Sequence, residues 1–191
     1  MATPIKLIVD LGNPTRQHER DRHNVGFWFL ERLADKLRVT LNKDAKYHAL
    51  VARVGELWLM EPQTYMNLSG KAVGGLARFF KIEPEEILIA HDELDFEPGI
   101  VKLKKGGGPG GHNGLKDIEA QLGSQATWRL RIGIGHPGDK NIVPDYVLHT
   151  PAPAEREAID KAIDRCIEVS DLLIAGEMNA AMLKLHTKVQ S

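Results

Sequence analysis

The 191-residue sequence has a single cysteine, Cys166, which excludes an internal disulfide and indicates a reducing compartment. No apolar run approaches the roughly 18 residues of a membrane-spanning helix. No positively charged start precedes an apolar stretch, so we expect neither a signal peptide nor a membrane segment. Aromatic residues make up only 6%, which disfavours a broad platform for stacking single-stranded bases. The formal net charge of −1 excludes a uniformly basic coat but not a local basic face.

Several motifs of common enzymes are also absent. The sequence has no C-x-x-C, H-x-x-x-H or H-E-x-x-H spacing, so we expect no metal site. It has no G-x-S-x-G elbow for a serine nucleophile, and Ser69-Gly70 instead begins a predicted helix. Cys166 is interpreted as a small buried side chain on a helix. A hydrolase built from the remaining residues would activate water directly, with a histidine as base.

The composition is that of a globular protein, with 42% apolar and 27% charged residues. Short β-branched segments alternate with amphipathic ones, which predicts a single α/β domain over residues 1–191. Two alternating strands and one hairpin indicate a mixed sheet rather than a wholly parallel one. Strands are predicted at 5–11, 47–54, 57–60, 87–90, 100–104 and 129–135, and helices at 23–37, 69–80, 115–122, 153–173 and 178–188.

A glycine-rich loop, residues 106–114, contains six glycines in nine positions and leads into a helix. Glycine leaves backbone N–H groups uncovered, so this loop is interpreted as a backbone positioned for a ligand rather than a flexible turn. It matches a dinucleotide fingerprint only loosely, because residues 124–138 lack the acid that such a site requires. A nucleotide-binding enzyme therefore remains an alternative that the sequence disfavours.

Basic residues cluster on two alternating strands near this loop. Lys102 and Lys104 fall on one side of their strand, and Arg129 and Arg131 fall on one side of theirs. If the strands are neighbours, the four cations form a patch that can hold phosphates. A solvated charged face is the plainer interpretation of such a pattern, but its position beside the glycine-rich loop favours phosphate binding. A non-catalytic RNA-binding module would use the same patch.

A histidine, an aspartate and three asparagines lie at predicted ends of helices and strands. His23 stands where a polar loop enters a helix, whose positive end favours a neutral imidazole that can accept a proton. Asp92 ends a buried strand, where α/β sheets place functional groups. Asn13, Asn67 and Asn113 lie in or near loops that follow strands, and an amide can donate and accept hydrogen bonds. Each asparagine alone is typical of a turn or a helix cap.

Taken together, six segments make the chain similar to the bacterial-type peptidyl-tRNA hydrolases. They keep the family's order and cover nearly the whole chain. The segments are LIVDLGNP at 7–14, RHNVGFW at 22–28, TYMNLSGKAV at 64–73, AHDELD at 90–95, GGGPGGHNGLKDI at 106–118 and RLRIGIGHP at 129–137.

This resemblance implies a monomeric α/β domain with a mixed twisted sheet. It implies hydrolysis of the ester that joins a peptide to tRNA, with peptidyl-tRNA as the RNA substrate and no metal or cofactor. It further implies a cytoplasmic role in recycling tRNA, without an obligate protein partner. By motif, His23 would be the base, Asp92 would hold it in the accepting form, and Asn13 would help to distinguish a blocked amino group from a free one.

The remaining site residues also follow from the resemblance. Tyr65, Asn67 and Asn113 would line the substrate site, and Lys104 and Arg131 would clamp a tRNA phosphate. The chain departs from the family pattern V-G-L-G-N-P-G, because Asp10 and Thr15 replace two glycines. His18 occupies the place where a substrate-contacting tyrosine is common in the family. If this side chain contacts the terminal nucleotide, the histidine ring would stack on it over a smaller area than a tyrosine ring. These departures concern fine substrate contacts, and the reaction class does not depend on them.

Overall fold

The computed structural model of the chain describes residues 2–186. Within this range the predicted strands and helices are present, but the helix predicted at 153–173 is divided into two at Val169. The end of the last predicted helix, at 187–188, lies outside the described residues. The strands are β1 (Leu7–Asp10), β2 (Asn42–Asp44), β3 (Ala49–Val54), β4 (Leu57–Pro62), β5 (Ile87–Glu93), β6 (Val101–Lys105) and β7 (Trp128–Gly133). The helices are α1 (Val25–Leu37), α2 (Ser69–Phe80), α3 (Asn113–Leu122), α4 (Val143–Val147), α5 (Pro153–Glu168), α6 (Ser170–Ala175) and α7 (Met178–His186).

The seven strands form one mixed sheet in the order β2-β3-β4-β1-β5-β7-β6. The central strand β1 pairs in parallel with β4 and β5, and β5 pairs in parallel with β7. The pairs β2–β3, β3–β4 and β6–β7 are antiparallel. The predicted α/β class and mixed sheet are therefore confirmed, and the short edge strand β2 is an addition that the sequence did not indicate.

Alternation along β1 and β5 gives the sheet two apolar faces. Ile8 and Leu88 belong to a core that α1 and α5 cover, whereas Val9 and Ile89 belong to a second core under α2 and α3. Because the central strands are covered on both sides, their sequences are almost continuously apolar. Cys166 of α5 is buried as predicted, and burial raises the pKa of its thiol to about 12, which leaves it unreactive.

Two polar residues at helix starts bond groups other than the free N–H groups of their own helix. Asn24 stands at the N-cap position of α1, but its side chain bonds the backbone of Asn13 instead of the helix. Ser69 is the first residue of α2, and its hydroxyl donates to the carbonyl of Met66. At the start of α2, the N–H of Gly70 donates to the Asp117 carboxylate. At the start of α2, a long-range contact with Asp117 thus serves as the cap that Ser69 does not provide.

The outer edge of the sheet at β6 is covered by the last described helix. The backbone N–H of Leu103 donates to His186 Nε2 of α7 at 3.0 Å. Leu103 and Leu185 belong to the same buried core, so α7 packs along this edge. None of the helices within residues 2–186 is both long enough and apolar enough to cross a bilayer.

The close approach of α1 to the sheet requires glycine at position 26. A Cβ at Gly26 would lie 2.5 Å from the carbonyl oxygen of Ala90 and 3.0 Å from the backbone of Leu11. We therefore expect Gly26→Ala to lower the free energy of unfolding by about 1–3 kcal/mol, measured by urea denaturation, because the backbone atoms must move.

Gly75→Ala is the matched control within α2. Its Cβ would meet only a Tyr47 ring carbon at 3.7 Å. Replacing glycine by alanine in a helix interior stabilises by up to about 1 kcal/mol, so the control should be neutral or stabilising. Equal effects of the two substitutions would contradict the packing explanation.

Candidate active site

The site lies where the carboxyl ends of the parallel strands meet the start of α1. Asp92 is near the end of β5 and is 3% exposed. His23 lies in the short 3₁₀ turn Arg22–Asn24, which leads directly into α1. Its Nδ1 is 2.7 Å from Asp92 Oδ2, across 69 residues of sequence. The fold thus brings together the predicted base and the predicted orienting carboxylate.

A third side chain, His112, completes this group and was not assigned a catalytic or binding role from the sequence. Its Nε2 lies 2.6 Å from Asp92 Oδ1. Its Nδ1 accepts from the N–H groups of Gly114 and Leu115 at the start of α3. Because Nδ1 accepts, the ring proton resides on Nε2 and is donated to Asp92. The only signal in the sequence was a histidine directly before a helix at the end of the glycine-rich loop.

The pKa values of His23 and Asp92 are determined more by the contact between these side chains than by their burial. Burial would raise the pKa of Asp92, but His23 and His112 outweigh it and hold that pKa well below the usual range. Burial would lower the pKa of His23, but the Asp92 carboxylate outweighs it and raises that pKa. The helix end is expected to favour the neutral form of His23, and the adjacent carboxylate acts against that tendency by raising the pKa.

His91 supports the group from the sheet side. It is buried, and its Nδ1 lies 2.8 Å from the backbone carbonyl of Asp92, to which it donates. Burial and the neighbouring His112 lower the pKa of His91 to about 3, so its ring is neutral. Its ring meets that of His112 edge-on, with centroids 5.0 Å apart. His91 therefore packs against His112 without adding a charge.

A pocket of about 150 Å³ opens above these residues. His23, Asp92 and His112 form its floor with Asn113, and the loop glycines Gly110 and Gly111 line one side. Leu94, Val143 and Val147 line the pocket with apolar surface. The segment that carries α4 is held in place, because Arg22 donates to the carbonyl of Tyr146 at 3.0 Å.

Asn13 links the loop after β1 to two neighbouring loops. Its backbone N–H and carbonyl both bond the side chain of Asn24, at 2.8 and 2.9 Å. Its side-chain Oδ1 accepts from the N–H of Met66 at 2.8 Å. With Oδ1 occupied and the flanking loops fixed, Asn13 Nδ2 has no hydrogen bond to any of residues 2–186 and can serve as a donor to a ligand.

Three predicted substrate contacts lie in the loops around the pocket. Tyr65 is 57% exposed, and Asn67, also exposed, follows Met66 in the 3₁₀ turn Met66–Leu68. Gly114, next to Asn113, packs so closely on Met66 that a Cβ there would lie 2.7 Å from its sulfur. The Asn67 and Asn113 segments are therefore adjacent. His18 is held by Asp21 at 2.7 Å, and its ring is not among those that line the pocket.

The predicted cationic patch separates into accessible and buried members. Strands β6 and β7 are neighbours, with Lys102 opposite Arg131 and Lys104 opposite Arg129. Arg131 is paired with Glu93 at 2.8 Å, and its guanidinium lies 4.6 Å from the centre of the Phe96 ring. Lys104 and Lys102 are exposed.

Arg129 does not belong to the accessible patch, because it is only 3% exposed. It donates to the carbonyl of Gly108 at 2.7 Å and to Glu119 of α3 at 2.8 Å. The N–H of Gly106 also donates to the carbonyl of Thr127. These bonds fix the glycine-rich loop, as predicted for a positioned backbone.

The same three side chains have the geometry of a possible metal site. One ligand atom each from His23, Asp92 and His112 lies within 4.8 Å of the others. Both Asp92 oxygens are already occupied by the two imidazoles, and His112 Nδ1 caps α3. An ion would have to displace both histidine–carboxylate hydrogen bonds, so the donor set fits a proton relay better than a metal centre.

Comparisons with known proteins agree on one family. The family model described as peptidyl-tRNA hydrolase matches residues 7–191. The peptidyl-tRNA hydrolase of Nitrosospira multiformis is 56% identical over 191 residues, covering 98% of this chain and all of that protein. The peptidyl-tRNA hydrolase of Delftia acidovorans is 57% identical, with 96% and 90% of the two chains covered.

Solved structures give the same result. The crystal structure of peptidyl-tRNA hydrolase from Acinetobacter baumannii superposes with a TM-score of 0.92 at 46% identity, covering 97% of this chain and 96% of that one. A peptidyl-tRNA hydrolase in complex with N-propanol has a TM-score of 0.93 at 45% identity. That match covers 98% of this chain and 97% of the solved chain.

The contact between His23 and Asp92 predicts a measurable titration. In an NMR titration of the imidazole signals, the pKa of His23 should lie above the ordinary value of 6.5. Asp92→Asn removes the carboxylate and leaves the ring buried, so the pKa of His23 should fall.

Asp21→Asn is the comparison variant, because Asp21 raises the same pKa only as a lesser contributor. It should lower the pKa of His23 less than Asp92→Asn does. An unchanged His23 titration in Asp92→Asn would contradict the assignment of Asp92 as the dominant partner.

Proposed function

This chain belongs to the peptidyl-tRNA hydrolase family, and from that premise we propose that it hydrolyses peptidyl-tRNA with His23 as the base. The reaction cleaves the ester between tRNA and a peptide or N-blocked aminoacyl group and releases free tRNA. The observation that carries this mechanism is the 2.7 Å contact between His23 Nδ1 and the ionised Asp92. It keeps the ring proton on Nδ1 and leaves Nε2 to accept a proton from water.

Water activated at His23 Nε2 attacks the ester carbonyl in the pocket above Asp92. The developing oxyanion needs preorganised N–H donors. The backbone of Gly110 and Gly111 and the side-chain amide of Asn113 line this pocket and are suited to that role. His112 is a positioning residue, because its hydrogen bond to the second Asp92 oxygen fixes the carboxylate that orients His23.

Asn13 supplies discrimination between blocked and free amino groups. Its Oδ1 is engaged by Met66, so it presents Nδ2–H to the substrate. A peptide or an N-acetyl group offers a carbonyl that can accept this hydrogen bond, whereas a free aminoacyl ester has no such group. Asn67 and Tyr65 are exposed and extend the substrate surface from the connection between β4 and α2. His18 extends it from the connection between β1 and α1, which also carries Asn13.

Lys104 and Arg131 hold a phosphate of the tRNA. Both lie on the β6–β7 pair beside the glycine-rich loop, and Lys104 Nζ packs against Gly107. Phosphate contacts of this kind supply affinity without reading sequence. In this role the protein works as a cytoplasmic monomer that recycles tRNA, without a metal, cofactor or obligate protein partner.

His23→Ala should lower kcat/KM for N-acetyl-aminoacyl-tRNA by about 10²–10⁴-fold, because a positioned base contributes that much. The assay follows release of the acetylated amino acid with a chelator present. Binding of tRNA should persist, since the proposed phosphate contacts are made by Lys104 and Arg131 and not by His23.

His48→Asn is the control for this substitution. His48 is exposed in a turn with φ of 53°, a conformation that asparagine tolerates. Normal turnover in His23→Ala would refute the base assignment. A wild-type protein that binds tRNA but cleaves no ester would instead favour a non-catalytic RNA-binding module, and activity abolished by the chelator would refute metal-free hydrolysis.

Arg131→Ala should weaken tRNA binding and reduce the slope of log affinity against log salt by about 1, because one phosphate contact is lost. The control is Lys161→Ala, since Lys161 is exposed on α5 and paired only with Glu157. Filter binding at several salt concentrations measures both. Identical slopes for wild type and Arg131→Ala would remove Arg131 from the phosphate site.

A further inference from the structure

Two carboxyl side chains lie side by side in the sheet beneath α1, outside the catalytic group. Val9 of β1 pairs with Met60 of β4, so Asp10 and Glu61 occupy the next register position on neighbouring strands. Asp10 is completely buried, and neither of its carboxyl oxygens has a hydrogen-bond partner within residues 2–186. Buried carboxyls without partners are costly, so the pair calls for a functional explanation.

Glu61 is the member of the pair that reaches a cavity. It is only 4% exposed, and its carboxylate makes no hydrogen bond or ion pair with the described part of the chain. It lines a pocket of about 270 Å³ whose wall includes the ring of Phe27. A buried, unpartnered acid therefore lies at an open pocket with an aromatic wall.

The charge around this pocket is predominantly negative. Glu19 and Glu31 line the pocket together with Glu61, and both are exposed to solvent. Arg16 is the one cationic side chain among the described lining residues, and it is exposed. The pocket thus offers three carboxyl groups and one aromatic side chain, a combination that attracts an organic cation through charge and cation–π contact.

A metal ion fits this pocket less well than an organic cation. Among residues 2–186, the only group of three ligating side chains that converges is His23, Asp92 and His112. The carboxylates of Glu19, Glu31 and Glu61 are therefore too dispersed to chelate one ion. A planar guanidinium or a lysine ammonium can bond one buried carboxylate while its stem lies against Phe27.

The position of the pocket indicates where the cation comes from. Asn13 and Asn24 both line it. Asn24 directly follows the base His23 in the chain, and Asn13 connects to the Met66–Asn67 segment. The pocket is thus linked to the candidate active site through Asn24, the chain neighbour of His23, and through Asn13, which the Met66 segment contacts.

We propose that this pocket binds the cationic side chain, an arginine guanidinium or a lysine ammonium, of the peptide carried by the substrate. This assignment rests on the proposed function, since it concerns the specificity of that same reaction. The bound cation donates to Glu61, stacks against Phe27 and is attracted by Glu19 and Glu31.

Proton release should accompany this binding. Burial and the neighbouring Glu31 raise the pKa of Glu61 to about 8, and burial together with Glu61 and Glu31 raises that of Asp10. The other charged groups at the pocket are Glu19 and Arg16. Since the raised pKa leaves Glu61 mostly protonated at pH 7, a cation must ionise it, and affinity should increase as the pH rises through 8.

The direct test is NMR binding of Nα-acetyl-arginine amide, with Nα-acetyl-citrulline amide as the uncharged isostere. The arginine probe should shift the amide signals of Phe27, Glu61 and Gln63, more strongly at pH 9 than at pH 7. Glu61→Gln, which keeps the side-chain volume, should weaken binding by about ten- to hundredfold and abolish its pH dependence. Glu56→Gln, in the exposed turn before β4, should bind like the wild type.

The kinetic test uses one tRNA that carries either N-acetyl-arginine or N-acetyl-citrulline. Wild type and Glu56→Gln should show a higher kcat/KM for the arginyl ester, and Glu61→Gln should lose that preference. Equal binding of the two probes, pH-independent binding, or an unchanged preference in Glu61→Gln would each overturn the assignment. Hydrolysis of the citrullinyl ester reports the proposed function separately, because that substrate has no charge for the pocket.

Discussion

The buried carboxylate of Asp92 is the contact on which the arrangement of the candidate active site depends. It is removed from water at the end of a central strand, and each of its oxygens bonds a different imidazole. Those two contacts offset the cost of burying a charge, and they orient two rings that come from distant parts of the chain. In the mechanism that we propose, the ionised carboxylate keeps one ring proton of His23 in place and leaves the opposite nitrogen for water.

The loops around Asp92 are held by polar side chains that bond backbone groups. Asn24 bonds both backbone groups of Asn13, and Arg129 bonds the carbonyl of Gly108. Buried polar groups of this kind are costly when unpaired, so each one favours a single arrangement of the loop that it contacts. The glycine-rich loop therefore combines a backbone accessible to ligands with a fixed position.

Much of the fold was accessible from the sequence because apolar periodicity is a local property. The α/β class, the mixed sheet and the hairpin followed from it, and so did the expectation that Asp92 ends a buried strand. The meeting of His23 and Asp92 was available only through the family resemblance, since 69 residues separate them. Arg129 and Arg131 have the same alternation, yet only Arg129 is buried, because alternation identifies a face and not what covers it. Nothing in the sequence distinguished Glu61, near the end of the largely apolar strand β4, as a candidate binding residue.

The hydrogen bond from the edge strand β6 to His186 also affects how one molecule meets another. An uncovered β-strand edge offers its N–H and carbonyl groups to any extended chain nearby, and this is a common start of sheet-to-sheet aggregation. Helix α7 covers that edge with its apolar side, while the opposite edge is only the three-residue strand β2. Colloidal stability of this fold thus depends on a helix that contributes nothing to the chemistry of the pocket.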